Sequence, residues 1–107
     1  MDRNELVTRL VVGTVLSVEE RRTLGASVTR AEVGAVIAML LHRHGRFPLD
    51  GEHPGGLQLL VAPTGVRVLV RTRTTAHEEP VTTLEAAVSR YIDRELGPSC
   101  QGIRIRP

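Results

Sequence analysis

The chain has no tryptophan, no lysine, one cysteine and two aromatic rings, Phe47 and Tyr91, in 107 residues. Each shortage excludes something. Cys100 has no second thiol to pair with, so an internal disulfide is ruled out and a reducing, cytoplasmic setting is expected. Two rings give bases almost nothing to stack on, which disfavours recognition of single-stranded nucleic acid by stacking. All 14 basic side chains are Arg, and with abundant Gly, Ala and Val this reads as the codon bias of a bacterium with a GC-rich genome. Arg is therefore background, and the usual inference from Arg to bidentate recognition of carboxylate or phosphate is discounted.

Long apolar runs are missing too. Leu10 to Val18 imitates a signal-peptide core, but Asp2 and Glu5 stand before it where positive charge belongs, and Glu19-Glu20-Arg21-Arg22 follows at once. No stretch is long enough to span a bilayer, so no membrane partner is expected.

What is present fits a single domain over residues 1–107, because a chain of this length supports one compact core. The apolar fraction, 41%, comes almost entirely from aliphatic side chains. The net charge of +2 is small but unevenly spread: residues 1–56 carry seven Arg and seven acids, residues 57–77 three Arg and no acid.

Asp2 to Leu16 places Leu6 and Leu10 on a helical stripe, but Val11, Val12 and Val15 favour a strand, so residues 3–16 stay open between the two. Ser17 with Glu20, and Thr29 with Glu32, have capping-box spacing. The first opens a short helix to Leu24; the second opens the clearest helix, with Val33, Val36, Ile37, Leu40 and Leu41 at helical spacing and Ala35, Ala38 and Met39 widening the apolar face. Gly45 to Gly56 reads as a loop. Leu57 to Val61 and Val66 to Thr72 flank Ala62-Pro63-Thr64-Gly65, a type I turn signal, and form a β-hairpin. A four-residue loop sets Val61 opposite Val66, Leu59 opposite Val68 and Leu57 opposite Val70; a three-residue loop with a bulge would instead pair Leu59 with Leu69 and Val61 with Arg67, and the first is preferred because it segregates apolar from charged side chains. Thr82 and Glu85 open a last amphipathic helix ending at Gly97-Pro98, and Ile103 to Arg106 alternates as a strand. The fold expected is α+β in two layers: the hairpin plus the C-terminal strand as a small sheet, that strand parallel to the second hairpin strand, with two to three helices on one face.

In that arrangement Arg67, Leu69, Arg71 and Arg73 share the sheet face opposite Val66, Val68 and Val70, and Arg104 and Arg106 join them. This is the expected partner-binding surface, against the plainer reading that Arg on a wet sheet face needs no function. The loop adds Phe47, Asp50 and His53 as contact candidates. His42 and His44 point apart on a helix and match no ligand spacing, and their charge suits a helix C-terminus, so no metal is expected. Cys100, His77 and Glu78-Glu79 form no catalytic motif, and the glycines from Gly51 to Gly56 lack the Lys of a phosphate loop. No catalytic residue and no cofactor is assigned.

A non-enzymatic protein–protein interaction domain of the adaptor, inhibitor or immunity-like kind ranks first, with an acidic protein as partner, and with a homodimer through the Ile103 to Arg106 edge as a further option. A nucleic-acid-binding accessory protein using the Arg-bearing face ranks second. A regulatory or accessory subunit of an enzyme, with His53, His77 or Cys100 in a pocket completed by another chain, ranks third.

Overall fold

The computed structural model describes residues 2–50, 55–71, 76–79 and 84–107, with the backbone alone at 62, 71 and 76–79. The segment left open by its sequence is helix α1 (Arg3–Val12). Asp2 starts it by accepting the Glu5 N–H at 2.8 Å, which satisfies one of the amides a helix leaves orphaned. Leu6, Val7, Leu10 and Val11 are buried along one side. Both capping boxes form as their spacing predicts, Ser17 with Glu20 at the head of α2 (Val18–Leu24) and Thr29 with Glu32 at the head of α3 (Arg30–His44).

Among the described residues seven strands and one more helix complete the order: β1 (Ser27–Thr29), β2 (Arg46–Phe47), β3 (Gly56–Ala62), β4 (Gly65–Arg71), β5 (Ala76–Glu79), α4 (Leu84–Tyr91), β6 (Ser99–Cys100) and β7 (Ile103–Arg106). The α4 helix widens into a π-helical turn over Ile92–Leu96 before Gly97 ends it. Thr82, its expected cap, lies outside the described residues. The α+β class is as expected.

The hairpin β3–β4 holds the expected register, with Val61 opposite Val66, Leu59 opposite Val68 and Leu57 opposite Val70. At the base of that face Leu57, Val68 and Val70 are buried, against α4 and its Tyr91. The face then runs out past the helices, leaving Val61 81% and Val66 55% exposed at the tip.

The C-terminal strand corrects the expected topology. The hairpin lies in an antiparallel sheet of order β2-β3-β4-β5, and β7 belongs to a second sheet, β1-β7-β6. The place beside β4 is already filled: β5, which no alternating pattern announced, pairs there from Val68 with Glu79 to Arg71 with Ala76. β7 instead runs parallel to β1, Val28 beside Ile105. Val28 is fully buried, so this pairing gives Ile105 a same-face apolar neighbour.

The core is continuous from α1 to β7 around α3, whose Val33, Val36, Ile37, Leu40 and Leu41 are all buried. Phe47 is corrected as well. Although expected as an exposed loop contact, it is buried in β2, and its ring meets Tyr91 edge-on with centroids 5.3 Å apart and planes at 85°, a favourable quadrupole geometry. Among the described residues no helix is long and apolar enough to cross a membrane.

The β2–β3 approach depends on one glycine. A Cβ at Gly56 would lie 2.5 Å from the Phe47 carbonyl oxygen and 2.8 Å from Pro48 Cδ, whereas one at Gly34 in α3 would meet only Val88 Cγ1 at 3.7 Å and Ile92 Cδ1 at 3.9 Å. Gly56→Ala is expected to lower unfolding free energy by roughly 1–3 kcal/mol through overpacking. Gly34→Ala is expected to raise it by up to about 1 kcal/mol through helix propensity. Urea denaturation of both variants checks this; shifts of the same sign would remove the distinction drawn between the two sites.

Candidate functional site

β6 and β7 are joined by Gln101 and Gly102, with φ of 51° and 78°, the two consecutive left-handed residues of a type I′ hairpin turn. Gly102 adopts this freely, but Gln101 does not. Its side chain supplies compensation: Nε2 donates to the Leu10 carbonyl at 3.2 Å and the Thr14 carbonyl at 2.8 Å, and Oε1 accepts from the Leu16 N–H at 3.4 Å. These bonds fasten the connection between α1 and α2 to the turn.

From that turn β7 alternates strictly. Ile103 and Ile105 are buried while Arg104 and Arg106 are exposed. In register, Arg104 stands between Ser27 of β1 and Ser99 of β6, and Arg106 stands beside Thr29. At the head of the strand the Arg21 guanidinium lies over Gly102, where a Cβ would be 3.8 Å from Nη1. Arg21, Arg104 and Arg106 thus line one edge-to-edge path, the two on β7 being ~6.6 Å apart along the strand. Beyond Arg21, Val18 lies one helical turn back on α2 and Val15 precedes the cap, at 72% and 81% exposure.

Three other Arg side chains are engaged in ion pairs, while Arg22, Arg43, Arg46 and Arg94 form none among the described residues and lie outside the β7 strand. Arg3 pairs with Glu32 and donates to the Leu24 carbonyl at 3.0 Å; Arg9 meets Glu20 at 2.7 Å; Arg30 meets Asp93 at 2.7 Å and donates to the Ser89 carbonyl and hydroxyl. Each ties elements distant in sequence. Among the described residues Arg21, Arg104 and Arg106 form no ion pair. Glu32, whose carboxylate reaches Thr29, is committed to Arg3 and to its own helix cap.

The expected Arg surface is therefore divided. Arg67 is exposed and Leu69 half-buried on β4 in the larger sheet, while Arg104 and Arg106 lie on the smaller one. They cannot form a single sheet face, because β5 occupies the position assigned to β7. Arg71 sits in register with Gly56 and Ala76, but its side chain, all of Arg73 and His53, and the side chain of His77 lie outside the described residues. Asp50 is exposed at the end of the β2 connection. Sequence reasoning missed Arg21, Val15 and Val18. The Ser17 capping box was signal enough to put Val18 and Arg21 on one helical face, but nothing local places that face beside β7.

Groups with catalytic potential are otherwise occupied. The Cys100 thiol is pushed up by burial and directed at the Leu10 carbonyl at 3.6 Å, which weakens it as a nucleophile. Burial, then Glu95 and Cys100, push the Tyr91 hydroxyl to about 12. A groove of about 550 Å³ between α3 and α4 is walled by Ala31, Gly34, Ala35, Ala38, Val88 and Ile92, and its Arg30 and Ser89 are bonded to each other. No group of three or more metal-ligating side chains occurs among the described residues. No family model, curated protein or solved structure matches the chain.

The Arg3–Glu32 tie has a pH signature. The Arg3 guanidinium first, then the Thr29 N–H, hold the Glu32 carboxyl at about 2, against an ordinary 4.5. A carboxyl depressed by folding stabilises fully above its unfolded value and loses that contribution as pH falls through the folded one. Glu32→Gln is expected to cost about 1 kcal/mol at neutral pH, solvent exposure of both side chains keeping it small. The gap from wild type should close between pH 4.5 and about 2. Denaturant unfolding across that range measures it, and a constant gap would exclude the charge as its origin.

Proposed function

We propose that the chain is a non-enzymatic protein-interaction domain that binds an acidic partner through the outward face of the small mixed sheet. One observation carries this reading: Arg21, Arg104 and Arg106 stand in a row without a carboxylate partner, whereas Arg3, Arg9 and Arg30 are each used in an ion pair that holds the fold together. Desolvating unpaired guanidinium groups is unfavourable unless the incoming surface is anionic, so the row selects for negative charge and speeds the encounter. Hydroxyls at Ser27 and Ser99 flank Arg104 and offer short, adaptable hydrogen bonds at the rim of the row.

Phosphates along a nucleic-acid strand would match a row of this spacing equally well. The two aromatic rings weigh toward the protein partner: Phe47 and Tyr91 are buried against each other, so the bases of a single strand would find no stacking platform on this face. A lone, half-buried Cys100 suits a reducing bacterial cytoplasm as the place of action.

Affinity capture from native lysate with mass spectrometry tests the reading. Arg104→Glu with Arg106→Glu should abolish capture of acidic proteins in the presence of nuclease. Arg43→Glu with Arg46→Glu, an equal charge change at exposed positions elsewhere, should leave capture intact. Loss in both pairs would reduce the effect to net charge, and loss on nuclease treatment alone would move the partner to nucleic acid.

A further inference from the structure

The guanidinium row does not end in polar surface. Val18 shares a face of α2 with Arg21, one turn apart, and Val15 lies just before the Ser17 cap; both are largely in solvent, at 72% and 81% exposure. Isolated exposed aliphatics are ordinary. These two differ in being held. The connection that carries Val15 is bonded through Thr14 and Leu16 to the Gln101 side chain, and Gln101 is the first residue of the turn that opens β7. The connection that carries Val15 and the turn that opens β7 are thus fastened together, and Arg21, one turn after Val18, reaches over Gly102 of that turn.

Resting on the acidic-partner reading above, we propose that the ligand is an extended acidic peptide segment with an apolar end: carboxylates at alternate positions meet Arg21, Arg104 and Arg106, and aliphatic side chains at one end cover Val18 and Val15. Charge complementarity sets the occupant's sign, since the row carries three guanidinium groups with no ion pair among the described residues. Spacing sets its conformation. Alternate residues of an extended peptide repeat at ~6.6 Å, the period of the Arg side chains on β7, and present them on one side of the segment. The Val pair sets its direction, because an apolar end gains from burial only where it meets apolar surface.

Three fluorescent probes separate the possibilities by anisotropy titration: a synthetic peptide of alternating Glu and Ser preceded by Val-Leu-Val, the same peptide with Ser in place of the apolar residues, and a short DNA duplex. The apolar-ended peptide should bind at least about tenfold more tightly than the all-polar one, a gain that partial burial of two Val side chains accounts for. Val15→Ser with Val18→Ser should erase that difference and leave binding of the all-polar peptide unchanged; Arg104→Glu with Arg106→Glu should eliminate both. All four positions are exposed, so thermal melting should match wild type. Equal affinity of wild type for the two peptides would overturn the apolar anchor and leave the acidic-partner reading standing. Failure to bind either peptide, with or without binding of the duplex, would overturn both.

Discussion

Everything in this fold depends on burying helix α3 from several sides at once. Its apolar residues are not confined to a stripe: Val33, Val36, Ile37, Leu40 and Leu41 are buried, and Ala38 and Met39 are packed at the margin. A helix this apolar must be covered on more than one flank. α1 covers one side, α4 another, and strands from both sheets, β1 and β7 as well as β2 and β3, touch it too. The two small sheets therefore need not join each other. Each obtains its apolar face from the same helix, which explains why a chain of this length divides its strands between two ladders and still keeps one core.

That dependence also explains which parts could be read from the sequence. The hairpin register was legible because period two applies to both strands, and only one register puts Leu57, Leu59 and Val61 on the same face as Val66, Val68 and Val70. The helix starts were legible because capping is chemistry within four residues. The sheet membership of β7 was not. Its partner β1 is three residues long with one apolar side chain, Val28, which pairs with Ile105 across 77 positions of sequence, so no local pattern could mark it. The β5 strand, whose residues Ala76 to Glu79 show no apolar alternation, took the vacancy that a right-handed crossover would have filled. The alternation of Arg104 and Arg106 was correctly read as an exposed face, and only its neighbours were wrong.

The missing part of the candidate surface was missed for a related reason. Val15 and Val18 occur in a Val-rich stretch that resembles core, and Arg21 in a run of alternating charge that resembles an ordinary solvated helix. What distinguishes them is the fastening of the α1–α2 connection to the β6–β7 turn, which Gln101 enforces with three hydrogen bonds to the backbone of Leu10, Thr14 and Leu16. A polar side chain that bonds across the sequence leaves no periodic trace. Tertiary polar contacts of this kind are what single-sequence reasoning is least able to anticipate.

The division of labour among the arginines follows from the shortage of everything else. With no Lys and two rings, the chain has Arg alone both for its structural ties and for the exposed row on which the proposed function rests. A guanidinium gains most when its fork is matched by a carboxylate or by carbonyls, and Arg3, linking α1 to α3 and to the Leu24 and Ser27 carbonyls, uses nearly its full donor set. Arg104 and Arg106 are instead held by their backbone, with Ile103 and Ile105 anchored in the core on either side of Arg104. A strand fixed from below presents its outward side chains in a defined direction without consuming them in internal bonds. A surface of that kind loses less conformational freedom on contact than a loop does, and it is anchored through Val28, Ile103 and Ile105 in the core.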